Sequence, residues 1–458
     1  MSQNPIPLRS PQDVPATLSR WLLGVGLASL LLRLWIAVTF PISGDEALFY
    51  WWGVYLDWGY SDHPPMVGWV IALMRATLGD SVWSIRLPAV LLPLGLGAAL
   101  WWALKPVDRV RAAWAVLFFW LAPLNWLYAI ITTDTPLIFW SALSVAALMR
   151  ADRRAQFDRT AYGLYALSGL FLGCAFLSKY FSVVLGFTYL VYFLLYRRER
   201  LVGLALLVVC ALPGPAINIA YNMSHGWSNI MFNVYNRNEA ESFEWRKPLL
   251  YVGMMAYLIT PAAVWLAVKY RKTLAATAQS QRLLACLVVV PLLFFALLSA
   301  RKVIGLHWVL SFYPFGFAFL AFALPADKLK TCAKGLALFA GLHVLVVVGL
   351  YMTTLDTWRS AKIYPQIVRS IRTAEILNQV SSPDAVLMAD SYTAASIYGF
   401  ERRQYMPVFG VGKFHARQDD MLVDFSLYQG KTIRVITPDT PQLEEFTPYF
   451  EKVAVRRF

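Results

Sequence analysis

The run Trp21–Phe40, WLLGVGLASLLLRLWIAVTF, passes directly into Pro41–Trp52, PISGDEALFYWW, and this junction decides how the chain is read. A predominantly apolar run of about 20 residues is what a helix needs to cross roughly 30 Å of hydrocarbon. The run carries no small-residue cleavage site, and the segment before it is polar and contains proline. It therefore reads as a first membrane span, not as a removable leader. Further apolar runs near 84–104, 112–130, 136–150, 161–177, 181–196, 201–219, 249–268, 281–299, 308–324 and 335–352 bring the expectation to about eleven spans. Composition agrees. Of 458 residues 58% are hydrophobic and 15% charged, and the mean hydropathy is +0.52, which excludes a soluble globular chain of this length.

The net charge of +14 sits in short clusters between apolar runs, so it points to membrane orientation and not to a nucleic-acid partner. Arg9 and Arg20 precede the first span and place the amino terminus in the cytoplasm. Lys105/Arg109/Arg111, Arg150/Arg153/Arg154/Arg159, Arg197/Arg198/Arg200, Lys269/Arg271/Lys272 and Lys328/Lys330/Lys334 then fall on the same side. Cys174, Cys210, Cys286 and Cys332 lie in or beside apolar runs without metal-ligand spacing and read as small hydrophobic residues.

The opposite side carries a long first external loop, 41–83, and another at 220–248. The last span also delivers its tail there, which divides the chain into a membrane domain, 1–352, and an external domain, 353–458. The tail alternates DAVLMAD, the helix-like YTAASIYGF and KTIRVITP, a strand–helix–strand pattern expected of a small α/β domain that covers or stabilises a site.

The first external loop reads GDEALFYWW over Gly44–Trp52 and LDWGYSDHPP over Leu56–Pro65. Its aromatic density suits a helix lying in the membrane interface with rings at headgroup level. Asp45-Glu46 after the first span, an aromatic helix, and the acid-cation-Pro-Pro motif Asp62-His63-Pro64-Pro65 together resemble the GT-C membrane glycosyltransferases. The similar branch holds protein O-mannosyltransferases and lipid A aminoarabinose transferases (glycosyltransferase family 39/83-like). The resemblance covers roughly residues 20–325. It extends through Thr132-Thr133-Asp134-Thr135-Pro136-Leu137, the GCAFLSKYF segment Gly173–Phe181, NIAYNMSHGW at Asn218–Trp227 with Phe232, and Ala300-Arg301-Lys302 with His307 and Pro314.

The resemblance implies a polytopic α-helical GT-C bundle with a juxtamembrane-helix loop in the bacterial inner membrane. It implies inverting transfer of a hexose or pentose from a polyprenyl-phosphate donor, undecaprenyl in a bacterium. The acceptor on the periplasmic face is an envelope glycolipid such as lipid A or lipopolysaccharide, or another glycan; a protein hydroxyl is the alternative. No cofactor is required, and spacing does not support a divalent metal built from Asp62 with His225 or His307.

Asp45 is expected to act as general base or to position the acceptor. Glu46 ranks second, as a structural acceptor, because adjacent side chains on a helix point in different directions. Asp134 is expected to converge on the same cavity, to cap the fourth span with Pro136 just inside, or to do both. Lys179, Arg301 and Lys302 fall at external span ends, where cations neutralise a lipid phosphate or snorkel to headgroups. His63 replaces the lysine of the aminoarabinose transferases, so it is either a protonated cation or a neutral donor. His307 joins this phosphate-binding group, and Asp62, Tyr60 and His225 are assigned to the acceptor side. His343, within a span, and His415, in the tail, receive no role, and Asn222-Met223-Ser224 reads as a chance glycosylation sequon.

A lipid-linked-sugar flippase is the rival from another class. Transporters place ionisable groups near the midplane or on repeats, whereas here the acids gather at external span ends and no internal repeat is evident. A glycan polymerase shares the donor type but not the DHPP and SKYF motifs, and a non-catalytic scaffold has least support.

Overall fold

The computed structural model describes residues 13–236, 242–409, 419–438 and 443–456; Arg9, His415 and part of the 220–248 loop lie outside them. Each of the eleven apolar runs falls on helix. Five helices are long and apolar enough to cross a membrane: Ala16–Thr39, Val82–Leu104, Arg198–Ser224, Arg282–Ser299 and Ala326–Tyr351. A sixth crossing arises if Arg246–Ile259 and Pro261–Lys269, bent by 96° at Thr260, form one broken span. Pro261 suits the break, since proline has no N–H to bond back to the preceding helix and favours the first helical turn. Asp134–Asp152 buries residues all round, from Asp134 to Ala151, as a helix in the middle of a bundle must.

The basic clusters share one end of this bundle. Arg111 donates to the carbonyls of Ala321 and Leu324 at 2.7 and 2.6 Å, and Arg153 to Ala103 at 2.5 Å. Arg197 pairs with Asp152 at 2.7 Å, and Arg200 donates to the Arg154 carbonyl at 2.7 Å. Four connections are thereby stitched together by guanidinium groups that also satisfy helix C-terminal carbonyls.

The first external loop contains two helices, Gly44–Val54 and Met66–Leu78, the second of which was expected to be loop. A capping box starts the first: Ser43 Oγ accepts the Glu46 N–H, and the Glu46 carboxylate accepts the Ser43 N–H. Of the aromatic residues that suggested an interfacial helix, Phe49, Tyr50, Trp51 and Trp52 are buried in protein, while Tyr55 and Trp58 are exposed. The C-terminal tail covers Tyr50 and Trp51, while Phe49 and Trp52 face Tyr60 and His63. The tail's parallel strands Ala385–Ala389 and Thr432–Ile436 pair in register, Ala385 opposite Thr432, and the helix Tyr392–Arg402 lies between them in sequence. That helix packs on Gly44–Val54. Tyr50 and Phe400 meet edge to face at 4.7 Å, and Trp51 Nε1 donates to the Ser396 carbonyl at 3.4 Å.

Candidate active site

The end of the bundle opposite the basic clusters is organised around Glu46. Its carboxylate is fully buried and receives Arg86 Nε and a terminal Arg86 nitrogen at 2.7 and 2.6 Å. The backbone N–H groups of Ser43 and Ile131 donate to it as well, each at 3.1 Å. Arg86 spends its remaining donors on the carbonyls of Ala37, Phe40 and Pro41. Two connecting loops and two helices therefore meet on one saturated ion pair, which leaves Glu46 no free oxygen for chemistry and aims its neighbour Asp45 the other way.

Asp45 is exposed, at the first turn of its helix, and accepts from the Tyr392 hydroxyl at 3.2 Å. Asp134 stands at the first turn of its own helix, Asp134–Asp152; Thr133, not Asp134, holds the cap position. The carboxylate of Asp134 meets Lys179 Nζ at 2.9 and 2.8 Å, and both residues are buried. Lys179 Nζ also lies 5.6 Å from the Phe181 ring centre, within cation–π range. His307 stands in a short turn, Leu306–Val309, at the same end. Desolvation, then repulsion from Lys179, lowers the pKa of its imidazolium; Asp134 and Asp45 oppose this, and His63 adds to the repulsion. Asp45, His63, Asp134 and Lys179 thus share one electrostatic neighbourhood with His307, drawn from four separate connections.

His63 Nδ1 lies 3.1 Å from Asp62 Oδ1, an ion pair when the imidazole is protonated, and its ring borders Trp52 and Phe49. A polar clamp holds this corner. Asn229 Nδ2 donates to the Tyr60 carbonyl at 2.7 Å, Asn233 Nδ2 to the Asp62 carbonyl at 2.9 Å, and the Tyr180 hydroxyl to Asn229 Oδ1. Asn218 Nδ2 donates in turn to the Tyr180 oxygen at 2.8 Å. The residue after Lys179 is therefore tied to the residues beside His63.

The other assigned residues sit apart. Tyr60 is buried, stacked on Trp52 at 4.4 Å, with its hydroxyl donating to the Trp52 carbonyl at 2.6 Å. Gly68 is required beneath it, since an added Cβ would lie 2.5 Å from the Tyr60 oxygen. His225 stacks on Tyr221 at 4.1 Å, and its Nε2 stands 3.6 Å from Asp57, a brace between the 41–83 and 220–248 connections. Arg301 is exposed, and its carbonyl accepts from Lys247 at 2.9 Å; Lys302 is half-buried. Among the described residues no hydrogen bond or ion pair links the Arg301 side chain to Asp45, Asp134 or Lys179. The sequon asparagine, Asn222, is fully buried with Nδ2 bonded to the Asn218 carbonyl, so it cannot be an attachment site. Among the described residues no three His, Cys, Asp or Glu side chains are grouped as a metal site.

Sequence reasoning missed Arg86, Tyr180, Asn218, Asn229 and Tyr392. Asn218 and Asn229 fall in or beside a segment already singled out, and four asparagines within Asn218–Asn233 are an unusual polar density after an apolar span. Nothing local marks Arg86 or Tyr392.

Comparison with known proteins defines the class. Residues 62–219 match the family model described as dolichyl-phosphate-mannose-protein mannosyltransferase. The lipid A galacturonosyltransferase RgtD of Rhizobium johnstonii is 30% identical over 190 residues, which cover 40% of this chain and 38% of that protein. The chain thus matches well under half the length of this curated relative. Crystal structures of ArnT from Cupriavidus metallidurans superpose along nearly the whole chain. The apo form has a TM-score of 0.69 at 15% identity, covering 96% of this chain and 97% of ArnT. The form bound to undecaprenyl phosphate has 0.67 at 13%, covering 97% of each. The chain is a membrane protein with the GT-C fold of ArnT, and the resemblance read from its external motifs holds.

Proposed function

We propose that this chain is an inverting glycosyltransferase that moves a sugar from a polyprenyl-phosphate donor to an envelope glycolipid on the external face of the membrane. The observation that carries the reading is the convergence of Asp45, His63, Asp134, Lys179 and His307 at the end of the bundle opposite the basic clusters. Two carboxylates and three cationic or proton-donating groups are what the reaction needs. The acceptor oxygen attacks the anomeric carbon while the bond from that carbon to the phosphate oxygen breaks. Asp45 takes the acceptor proton, and the phosphate leaves with the bonding electrons towards His63, His307 and Lys179. A single displacement inverts the anomeric centre and needs no resident cofactor.

The ArnT fold, solved with undecaprenyl phosphate, supports the donor class, and the likeness to a lipid A galacturonosyltransferase supports the acceptor class. In this reading the eleven apolar runs make about eleven crossings, with the amino terminus cytoplasmic and the tail periplasmic, which the basic connections at one end of the bundle support. Arg301 and Lys302 serve in this reading as outer cations at the mouth.

Mass spectrometry of envelope lipids and glycans from a deletion strain tests it. A sugar-sized mass should vanish on deletion, return with wild type and stay absent with Asp45→Asn. Full return with Asp45→Asn would remove the carboxylate from the mechanism, and a sugar found on peptide alone would replace the lipid acceptor by a protein.

A further inference from the structure

The tail does more than cover the aromatic helix. The Tyr392 hydroxyl donates to Asp45 Oδ1 at 3.2 Å across 347 residues of sequence. Among the described residues Asp45 Oδ2 receives no hydrogen bond. The contact is held from both sides. The Tyr392 ring packs into the cluster that contains Trp51, Ile397 and Phe400, and also into the tail's own core with Leu377, Ala395 and Tyr398. Gly44, next to Asp45, sits against Thr393 so closely that an added Cβ would lie 2.1 Å from Thr393 Cγ2. A carboxylate at an exposed first turn otherwise rotates freely about its side-chain torsions, and each rotamer presents a different oxygen to the site.

We infer that Tyr392 is a positioning residue that completes the catalytic site from the external tail, anchoring Oδ1 of Asp45 so that Oδ2 is the oxygen presented to the acceptor. This rests on the role proposed for Asp45. The tail is thereby part of the active site, and the transferase centre forms only when the helix Tyr392–Arg402 is docked.

The test compares variants of the full-length protein in nanodiscs, with an undecaprenyl-phosphate sugar as donor and lipid A as acceptor. Tyr392→Phe keeps the ring and deletes the hydroxyl. Turnover should fall about three- to tenfold, the effect of losing one hydrogen bond, while donor KM and melting temperature stay unchanged. Asp45→Asn, which keeps an Oδ1 acceptor for the Tyr392 hydroxyl but removes the basic oxygen, is the inactive reference. A second pair reads the docking. Gly44→Ala should cut turnover by wedging Thr393 away, and Gly44→Ala with Thr393→Gly should restore it. Unchanged turnover in Tyr392→Phe beside an inactive Asp45→Asn would overturn the inference and leave the role of Asp45 standing. An active Asp45→Asn would instead overturn that role.

Discussion

Lys179 Nζ bridges both oxygens of Asp134, at 2.9 and 2.8 Å, inside the external end of the bundle. The lysine is therefore not a vacant anion hole. Its charge is already neutralised, and an incoming phosphate has to share it with a carboxylate. Removing one member of a buried pair strands the other charge, at a cost of about 3–5 kcal/mol. Asp134→Asn and Lys179→Met should each lower the melting temperature of the purified protein. They should differ with ligand. Asp134→Asn leaves an unpaired cation, so undecaprenyl phosphate should raise its melting temperature more than it raises that of wild type. Lys179→Met should show a smaller rise than wild type. Equal shifts in all three proteins would separate this pair from the donor phosphate.

The Glu46–Arg86 pair has the opposite character. Both side chains are fully buried, and the carboxylate already accepts from Arg86, Ser43 and Ile131. Glu46→Gln keeps the shape but leaves Arg86 charged and uncompensated. It should lower yield and melting temperature, again by about 3–5 kcal/mol. Whatever folded fraction remains should retain turnover per folded molecule within about twofold, since the group makes no contact that changes during transfer. A variant with normal melting and abolished turnover would put Glu46 back among the reacting groups.

Much of the fold was legible in the sequence because hydrophobic run length and loop charge act locally. The eleven runs, the shared end of the basic clusters and the strand–helix–strand order of the tail all follow from such local signals. What was not legible depends on partners far apart in the chain. Asp134 fits a cap by its neighbours alone, and only Lys179, 45 residues on, makes it half of an ion pair. The rings of Tyr50 and Trp51 fit headgroup level until a helix some 345 residues later covers them, as the Trp51–Ser396 bond shows with a separation of 345. Arg33 was passed over for the same reason. A single arginine in an apolar run reads as incidental, yet it is buried and donates to the carbonyls of Asn125 and Ala89.

His307 offers a direct check on the convergence of the site. Desolvation and Lys179 lower its pKa below the ordinary 6.5, and Asp134 and Asp45 pull it back up. Removing the Lys179 charge with Lys179→Gln should therefore raise the His307 titration midpoint, and Asp134→Asn should lower it further. NMR of isotope-labelled histidine, assigned with His307→Gln, reads both. The sign for stability follows from linkage. The unfolded chain binds the proton more readily than the folded one, so stability from this group is complete above 6.5 and is lost as pH falls towards the lowered folded value. Midpoints that ignore both substitutions would mean that His307 does not share the Lys179–Asp134 neighbourhood.

Orientation is the remaining consequence of where the charges lie. One end of the bundle holds Arg111, Arg153, Arg154, Arg197 and Arg200, bonded to one another's connections through backbone carbonyls. The other holds Asp45, His63, Asp134 and His307. Short basic connections stay on the cytoplasmic side, so the site and the tail should both face away from the cytoplasm. Alkaline phosphatase fused after Thr353 should be active and fused after Lys272 inactive, with a cytoplasm-dependent reporter giving the reverse pattern. The opposite result would put Asp45 and Tyr392 in the cytoplasm. An acceptor in the external leaflet would then be out of reach, and a lipid-phosphate donor presented on the external face could not be the substrate.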